Sequence, residues 1–250
     1  MRGLIIAAGR GKRLSHIADL KPLVMVGNTP LLERILLSAD KAGIDDFVVV
    51  TGYRSTEMKD FLEKLSEKRN FKIDVVYNDE WEKENGLSVL KAKEHFRGEF
   101  VLLMSDHIFD ASIIERISEF PLNEDEIVLA VDCRIEKNSL IDLEDVTKIN
   151  KKNGLILDIG KSLKEYNAFD TGIFRCSPAV FSALEKSIEG GDSTLSGGIR
   201  ALAKERKARV MDIGDSFWID VDDDIALQKA CRLCENMGEA SFFSGSILKE

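Results

Sequence analysis

The sequence has few cysteines, no long apolar segment and a deficit of basic charge, and each shortage excludes a class of protein. Its four cysteines include one CxxC pair, Cys231 and Cys234, without a second pair or accompanying histidines. We therefore expect a buried helix face there rather than a zinc or redox centre. No apolar run approaches the roughly 20 residues of a membrane-spanning helix. Because 35 basic residues stand against 44 acidic ones, a broad nucleic-acid-binding surface is not expected.

The remaining composition is typical of one folded domain. Hydrophobic residues make up 44% of the 250 residues, which is enough for a sizeable core, and charged residues make up 32%. The chain opens on a short strand-like run and shows neither the longer apolar stretch nor the cleavage site of a signal peptide, so we expect a cytoplasmic protein. A single glutamine beside many lysines and glutamates hints at a heat-adapted source.

The hydrophobic pattern predicts an α/β fold. Apolar runs at residues 4–8, 100–104 and 127–131 are typical of buried parallel strands, and helical segments separate the strands of this first part. One helix is predicted to begin at Thr29 as its N-cap, with Pro30 in the first helical position. The repeated strand–helix pattern predicts a doubly wound, mostly parallel sheet of the Rossmann-like kind.

After residue 132 the pattern changes to shorter strands. Asn153-Gly154 is a hairpin signal between two strand-like segments, and residues 169–175 form a further predicted strand. We therefore predict a smaller β-rich part beside the main sheet, within a single domain at residues 1–238. Residues 239–250 are less patterned and are predicted to be a C-terminal tail.

The strongest chemical signal is a basic, glycine-rich loop at the carboxyl end of the first strand, where open α/β sheets bind ligands. Small residues let backbone amides approach phosphates, and cations can neutralise them. The residues concerned are Ala7, Ala8, Gly9, Arg10, Gly11, Lys12, Arg13 and Lys21. Leu14 stands where a dinucleotide fingerprint needs its third glycine, and Ile6 and Arg13 are incompatible with a Walker loop. The alternative interpretation is a solvated basic turn.

Two aspartates that end predicted strands form the second signal. Asp106 follows the central apolar strand, and Asp220 closes a short apolar segment near the C-terminus. Because Mg²⁺ prefers carboxylate oxygens, both are candidate metal ligands, with turn or N-cap carboxylates as the alternative. The acidic run at residues 222–224 is interpreted as the cap and first turn of the last helix. His107 is expected to have a packing or supporting role.

A third signal lies in the polar loop before a helix predicted at residues 88–96. Its residues are Asn85, Gly86 and Ser88. An asparagine side chain both donates and accepts hydrogen bonds, and a glycine permits a ligand to lie close to the chain. Taken alone, these residues form an ordinary turn and helix cap.

The first motif resembles the signature of nucleotidyltransferases that condense a nucleoside triphosphate with a sugar phosphate or an alcohol phosphate. Their pattern, G-x-G-x-R-L followed by K-P-L, is matched by Gly9, Gly11, Arg13, Leu14, Lys21, Pro22 and Leu23. The resemblance extends over most of the chain and implies that the loop wraps a triphosphate. It implies that Arg13 and Lys21 are the catalytic cations, that Asp106 and Asp220 bind Mg²⁺ beside the nucleotide, and that the Asn85 loop contacts the nucleobase.

The second half of the chain resembles cytidylyltransferases that act on phosphorylated alcohols. Three runs along the chain, at residues 102–107, 159–161 and 170–172, are similar to those of inositol-phosphate enzymes. The resemblance implies CTP and inositol 1-phosphate as substrates and CDP-inositol and pyrophosphate as products. Residues 1–132 would form the nucleotide-binding half and residues 133–238 the acceptor-binding half. The acceptor-binding residues that the resemblance implies are Lys148, Lys161, Asp170, Thr171 and Gly172.

Other functions stay open at the level of the sequence. The same chemistry could use phosphocholine or a hexose 1-phosphate as the acceptor. A catalytically silent, nucleotide-binding regulatory domain is a further alternative, although such domains are expected to lose cationic or metal-binding residues. Relatives in this family continue into a membrane-embedded synthase, so the resemblance implies a membrane-bound di-inositol-phosphate phosphate synthase as functional partner, either separate from this chain or fused to it.

Overall fold

The computed structural model describes residues 1–136 and 140–237, which form a layered α/β structure. The strands are β1 Arg2–Ala7, β2 Met25–Val26, β3 Thr29–Pro30, β4 Asp46–Thr51, β5 Lys72–Tyr77, β6 Phe100–Met104, β7 His107–Phe109, β8 Ile127–Asp132, β9 Lys148–Lys152, β10 Leu155–Gly160, β11 Ala168–Cys176, β12 Ala208–Asp212 and β13 Trp218–Asp220. The helices are α1 Leu31–Lys41, α2 Ser55–Arg69, α3 Asn85–Lys91, α4 Ala111–Glu119, α5 Ala179–Glu189, α6 Leu195–Lys204 and α7 Asp224–Met237. The predicted tail lies outside the described residues.

Nine of these strands form one sheet in the order β5-β4-β1-β6-β11-β8-β12-β10-β9. The strands β5, β4, β1 and β6 run parallel to one another, as do β8 and β12, whereas β11, β10 and β9 pair with their neighbours in antiparallel fashion. The predicted α/β class is therefore confirmed. The carboxyl ends of the parallel strands meet at one edge of the sheet, and the chemistry described below lies there.

The β-rich part was predicted to lie beside the main sheet, but its strands belong to that sheet. Strand β11 is inserted between β6 and β8 in the middle of the sheet. Most of β11 is buried, including Phe169 and Phe174. The backbone N–H and C=O groups of a buried strand must be hydrogen-bonded, which requires a neighbouring strand on each side. The hairpin prediction is confirmed: Asn153 and Gly154 both have positive φ and join β9 to β10.

Each face of the sheet packs against its own apolar layer. Successive side chains of β1 point to opposite faces, so that Ile5 belongs to one core cluster, while Leu4 and Ile6 belong to the other. Helices cover both layers, which is the doubly wound arrangement. In the parts of the chain that the structure describes, no helix has the length and apolar character needed to cross a bilayer.

Two predicted helix boundaries are wrong. Pro30 has an extended backbone (ψ 144°) and precedes α1, while Thr29 pairs with Val26 in a two-residue ladder instead of capping the helix. The helix predicted at residues 88–96 begins earlier, at Asn85, and is interrupted after Lys91 by a separate 3₁₀ turn. Both errors concern turns whose hydrogen-bond partners are set by neighbouring segments rather than by local propensity.

Candidate active site

Two short strands, β7 and β13, form the candidate active site at the carboxyl edge of the nine-stranded sheet. They pair with each other and are not part of that sheet. Strand β7 continues directly from the end of β6, and it pairs with β13 so that His107 lies opposite Asp220. The backbone N–H of Val221 donates to the carbonyl oxygen of Asp106 (2.9 Å). This pairing brings Asp106 and Asp220 together, with ligand atoms of both residues and of His107 within 4.8 Å of one another.

The glycine loop, residues 7–13, packs directly against Lys21. Gly11 has a left-handed backbone (φ +63°), and a Cβ atom there would lie 2.3 Å from the Cβ of Lys21. Gly9, by contrast, has no heavy atom of the described chain within 4 Å of its Cβ position. The two glycines of the motif therefore have different requirements: Gly11 is needed for the internal packing of the site, and Gly9 leaves open backbone at its surface.

Lys21 lies at the centre of a group of carboxylates and is only 7% exposed. Its ammonium group donates to Asp106 Oδ2 (2.7 Å) and to Asp222, and lies 3.9 Å from Asp220 Oδ1. Burial alone would lower the pKa of Lys21, but the charges of these three aspartates raise it well above its ordinary value. The group is therefore a permanent cation.

Asp222 was not identified as a site residue from the sequence, and its interpretation as a helix cap is wrong. Its carboxylate contacts both Lys21 and Arg13, whereas Asp223 caps α7 by accepting from Ala226 N (2.8 Å). Asp220 and Asp222 flank the fully buried Val221. In extended backbone, alternate residues face the same side, so this spacing was the signal that could have identified Asp222.

His107 holds the carboxylate of Asp106 in place. Its Nδ1 lies 2.7 Å from Asp106 Oδ1, and its ring stacks on the buried indole of Trp218 with centroids 5.8 Å apart. Burial alone would lower the pKa of His107, but the charges and hydrogen bond of Asp220 and Asp106 raise it to about 9. The protonated ring and Lys21 together lower the pKa of Asp106 despite its burial. This geometry agrees with the supporting role expected for His107.

The aspartate pair fits a divalent cation. Asp220 Oδ1 is buried and accepts no hydrogen bond from any residue that the structure describes. Burial raises the pKa of Asp220 to about 7, and the nearby cations His107 and Lys21 offset only part of this effect. A buried carboxylate oxygen without a hydrogen-bond donor, next to a second carboxylate, is suited to binding a hard divalent cation. Asp220 also lies within 4.8 Å of Asp145 and Asp222 in a second acidic group.

A cavity of about 570 Å³ lies next to the aspartate pair. Among the residues implied for acceptor binding, Lys161, Asp170 and Gly172 line it. Lys148 and Thr171 are oriented elsewhere. The ammonium group of Lys148 donates to the carbonyl of Lys161 (3.0 Å), and the fully buried Thr171 hydroxyl donates to the carbonyl of Ala130 (2.8 Å). The structure therefore brings three of the five implied residues to the cavity.

Gly172 lets β11 turn Asp170 toward this cavity. Its backbone is left-handed (φ +73°), and a Cβ atom would lie 2.8 Å from Met104 Cγ and 2.9 Å from His107 Cδ2. The register of β11 against β8 shifts between Asp170 and Phe174, as at a β-bulge. The same turn lets Gly172 N donate to Asp170 Oδ1 (2.8 Å), which fixes the carboxylate at the cavity wall.

The three residues of the predicted base loop make structural contacts in this structure. Asn85 lines the cavity, but its Oδ1 accepts from Leu195 N (2.9 Å). A Cβ atom on Gly86 would lie 2.5 Å from the carbonyl oxygen of Ser193, so close helix packing explains this glycine. Ser88 is buried and bonds to Asn78 Nδ2 (3.0 Å). Contact with a nucleobase therefore stays a prediction for this loop.

The outer residues of the glycine loop lie beside two aromatic side chains that the sequence analysis did not identify. Ala7 and Ala8 are buried, and the carbonyl of Ala8 accepts from Tyr53 N (2.9 Å). The guanidinium of Arg10 lies 5.3 Å from the ring centroid of Tyr53, which in turn packs on Trp81 at 5.3 Å. Lys12 is exposed. Tyr53 and Trp81 follow the carboxyl ends of β4 and β5, and their positions just after these strands were a usable signal.

Replacing Asp170 by asparagine is expected to stabilise the protein at neutral pH. Burial raises the pKa of Asp170 to about 6, above its unfolded value of about 3.9, so the native state binds more protons between these values. Stability therefore falls as the pH rises through this range. Asp170→Asn keeps the Oδ1 acceptor for Gly172 and should gain about 1–3 kcal/mol in urea unfolding at neutral pH, a gain that disappears below about pH 4. An equal gain at both pH values would contradict a titration effect.

Cations of the glycine loop and the aspartate pair meet at the carboxyl edge of the parallel strands, and a site of this kind is typical of enzymes that use nucleoside triphosphates. Residues 3–141, more than half of the chain, match the MobA-like NTP transferase domain. The chain belongs to this family.

Individual relatives and a solved structure are similar to this chain over most of its length. The chain is 32% identical to the "Bifunctional IPC transferase and DIPP synthase" of Aquifex aeolicus over 231 residues, which are 91% of this chain and 50% of that protein. The protein of the same name from Thermococcus kodakarensis is 30% identical over 93% of this chain and 50% of its own length. The chain thus spans about half the length of these curated relatives. The inositol-1-phosphate CTP transferase of T. maritima superimposes with a TM-score of 0.83 and 27% identity, covering 98% of this chain and 97% of the other.

Proposed function

We propose that this chain is a cytidylyltransferase that condenses CTP with inositol 1-phosphate to give CDP-inositol and pyrophosphate, with Mg²⁺ as cofactor. The observation that carries the proposal is the position of the cavity. It places a cation, Lys161, and a partly buried carboxylate, Asp170, beside the aspartate pair and Lys21. The similarity to the T. maritima transferase, along almost the whole of both chains, supports the same reaction.

In the proposed reaction an oxygen of the acceptor's phosphate attacks the α-phosphorus of CTP. A new P–O bond forms in line with the bond that breaks, and the β- and γ-phosphates leave as pyrophosphate. The acceptor is already an anionic nucleophile, so the protein contributes alignment and charge compensation rather than a covalent intermediate. Arg13 and Lys21 would offset the charge that builds on the leaving pyrophosphate. Asp106 and Asp220 would hold Mg²⁺, which when bound would supply positive charge that offsets the charge of the phosphates.

The cavity favours a hydroxyl-rich acceptor over phosphocholine. Carboxylates such as Asp170 and Asp142 line it and can accept hydrogen bonds from hydroxyl groups. A quaternary ammonium group is recognised by open aromatic faces. Of the aromatic rings in the described lining, the indole of Trp218 is already covered by His107. A hexose 1-phosphate is as rich in hydroxyls as inositol 1-phosphate and stays the second candidate. A silent regulatory domain would not need Arg13, Lys21 and the aspartate pair in one site.

Pyrophosphate release, measured with four nucleoside triphosphates against a small set of acceptors, tests the substrates. We expect CTP with inositol 1-phosphate to give the highest kcat/KM, and EDTA to abolish the rate. Asp220→Asn should lower kcat at least about 100-fold, because it removes one of the two carboxylates that bind the metal. Asp215→Asn, a surface change of the same kind on the loop before β13, is the control. A higher kcat/KM for glucose 1-phosphate with UTP or dTTP would contradict the proposed substrates but not the proposed mechanism.

The proposed partner is the enzyme that consumes CDP-inositol. The relatives carry the name of a second activity, DIPP synthase, and extend to about twice the matched length. We propose that a membrane-bound di-inositol-phosphate phosphate synthase uses the product of this chain, and that the reaction takes place in the cytoplasm, where CTP is available. We also propose residues 1–132 as the nucleotide half and residues 133–238 as the acceptor half, although one sheet runs through both.

A further inference from the structure

Asp145 connects the glycine loop with the far wall of the cavity. It precedes β9, and its Oδ2 accepts from Arg13 Nη2 (2.7 Å), while its Oδ1 accepts from the ammonium group of Lys161. Its side chain is 26% exposed, against 50% for Arg13 and 60% for Lys161. One carboxylate thus neutralises a cation assigned to the triphosphate and a cation assigned to the acceptor's phosphate.

We propose that Asp145 is a counter-ion shared by the nucleotide and acceptor subsites, which substrate phosphates displace, and that this displacement couples the binding of the two substrates. The proposal rests on the proposed function, since it requires that Arg13 and Lys161 both receive phosphate groups. Asp145 is a positioning residue in this scheme: it sets the state of two cations and does not touch the reacting atoms.

The coupling follows from the shared carboxylate. A phosphate bound to Arg13 brings a negative charge against Asp145, and like charges at this separation repel at any dielectric constant. Asp145 then loses its contact with Arg13 and is held by Lys161 alone. An acceptor phosphate that reaches Lys161 therefore displaces a carboxylate that has already lost one of its two cations. By thermodynamic linkage the acceptor must tighten nucleotide binding by the same factor.

The acidic surroundings explain why such a counter-ion matters. Asp222 also contacts Arg13, and ligand atoms of Asp145, Asp220 and Asp222 lie within 4.8 Å of one another. Burial alone would raise the pKa of Asp145, but its contacts with neighbouring groups, including Lys161 and Arg13, lower it below its usual value. These carboxylates pair with the cations that would otherwise bind phosphate or pyrophosphate from solution. Removing one of them should therefore tighten the binding of free anions.

Calorimetry on the wild-type protein gives the first test. The Kd of inositol 1-phosphate is measured with and without saturating cytidine 5′-(α,β-methylene)triphosphate, in the presence of Mg²⁺. Ion pairs of this exposure are worth a factor of about two to five, and we expect the analogue to lower the Kd by that factor. Identical values with and without the analogue would overturn the proposal without any variant being made.

Asp145→Asn gives the second test, with Glu144→Gln as the matched control, because Glu144 is the exposed neighbouring carboxylate. Asp145→Asn should bind inorganic pyrophosphate about two- to fivefold more tightly than the wild type. It should also bind inositol 1-phosphate equally well with and without the analogue. Glu144→Gln changes the net charge equally and should change neither quantity. Asp145→Glu, which keeps the charge, should keep the coupling.

The pyrophosphate measurement separates this proposal from the proposed function. Tighter pyrophosphate binding by Asp145→Asn in a protein that does not turn over CTP with inositol 1-phosphate would support the shared counter-ion and reject the substrates. Unchanged or weaker pyrophosphate binding, in a variant whose thermal unfolding is like that of the wild type, would overturn the shared counter-ion even if the reaction is confirmed.

Discussion

Lys21→Met is expected to lower kcat at least about 100-fold, the scale of removing one transition-state electrostatic contact. The ammonium group of Lys21 is buried against Asp106 and Asp222. The neighbouring cations His107 and Arg13 are held at the other oxygens of these carboxylates. Steady-state pyrophosphate release under saturating substrates measures the effect. The loss should appear in kcat more than in KM, because the charge that Lys21 offsets grows during the reaction.

The same variant is expected to lose stability, and a divalent cation should restore part of it. Removing the cation leaves Asp106 and Asp222 with only His107 and Arg13 as cationic partners among the described residues, and the loss of one partner from a buried ion pair costs about 3 kcal/mol or more. Thermal unfolding with and without Mg²⁺ should therefore show a larger upward shift in Tm for Lys21→Met than for the wild type. Lys12→Met, which removes an exposed cation from the same loop, is the control and should unfold like the wild type. A fully active Lys21→Met enzyme would contradict its assignment.

Gly11→Ala is expected to disrupt the site, whereas Gly9→Ala is expected to leave it folded. An alanine at position 11 must adopt a left-handed backbone, which costs about 1–2 kcal/mol, and its Cβ would lie 2.3 Å from Lys21 Cβ. Relieving that overlap must move the backbone or Lys21, and a displacement of about 1 Å in a catalytic group can cost about 100-fold in rate. At position 9 an added Cβ meets no described atom within 4 Å.

Urea unfolding and steady-state kinetics of both glycine variants check this pair. Gly9→Ala should change the free energy of unfolding by no more than about 0.5 kcal/mol, as for a surface substitution. If its backbone approaches phosphate, KM for CTP should rise while kcat is kept. Equal losses of stability in the two variants would show that the contact between Gly11 and Lys21 does not set the geometry of the loop.

Local patterns predicted the parts of the fold that depend on neighbours in sequence. The sequence alone predicted the apolar strand β1, the Asn153-Gly154 turn and the spacing of the glycine loop. Strand β11 was also predicted, but its place between β6 and β8 was not. Strand order depends on which apolar faces pack together, and no local pattern encodes that choice.

Long-range contacts decide what several residues of the site touch. Asp222 was interpreted as a helix cap because it precedes α7, but its partner Lys21 lies 201 residues earlier in the chain. Thr171, which the resemblance implies as an acceptor-binding residue, donates to the carbonyl of Ala130 in this structure, and its role toward an acceptor stays a prediction. Gly86 packs closely against Ser193, a contact that the local sequence does not indicate, and its contact with a nucleobase stays a prediction. In each case the sequence identifies the residue type, and only the packed chain decides which group that residue contacts.

The sequence by itself determined the chemistry that is available: a basic, glycine-rich loop with Arg13 and Lys21, carboxylates at the ends of strands, and a sheet that presents them at one edge. The tertiary structure alone decided which charges meet. It joined Asp106 to Asp220 through the β7–β13 pairing and placed Asp145 between Arg13 and Lys161. The physical reason is that residue type sets the charge of a group, whereas its pKa and its partners depend on distances of a few ångströms that only the packed chain defines.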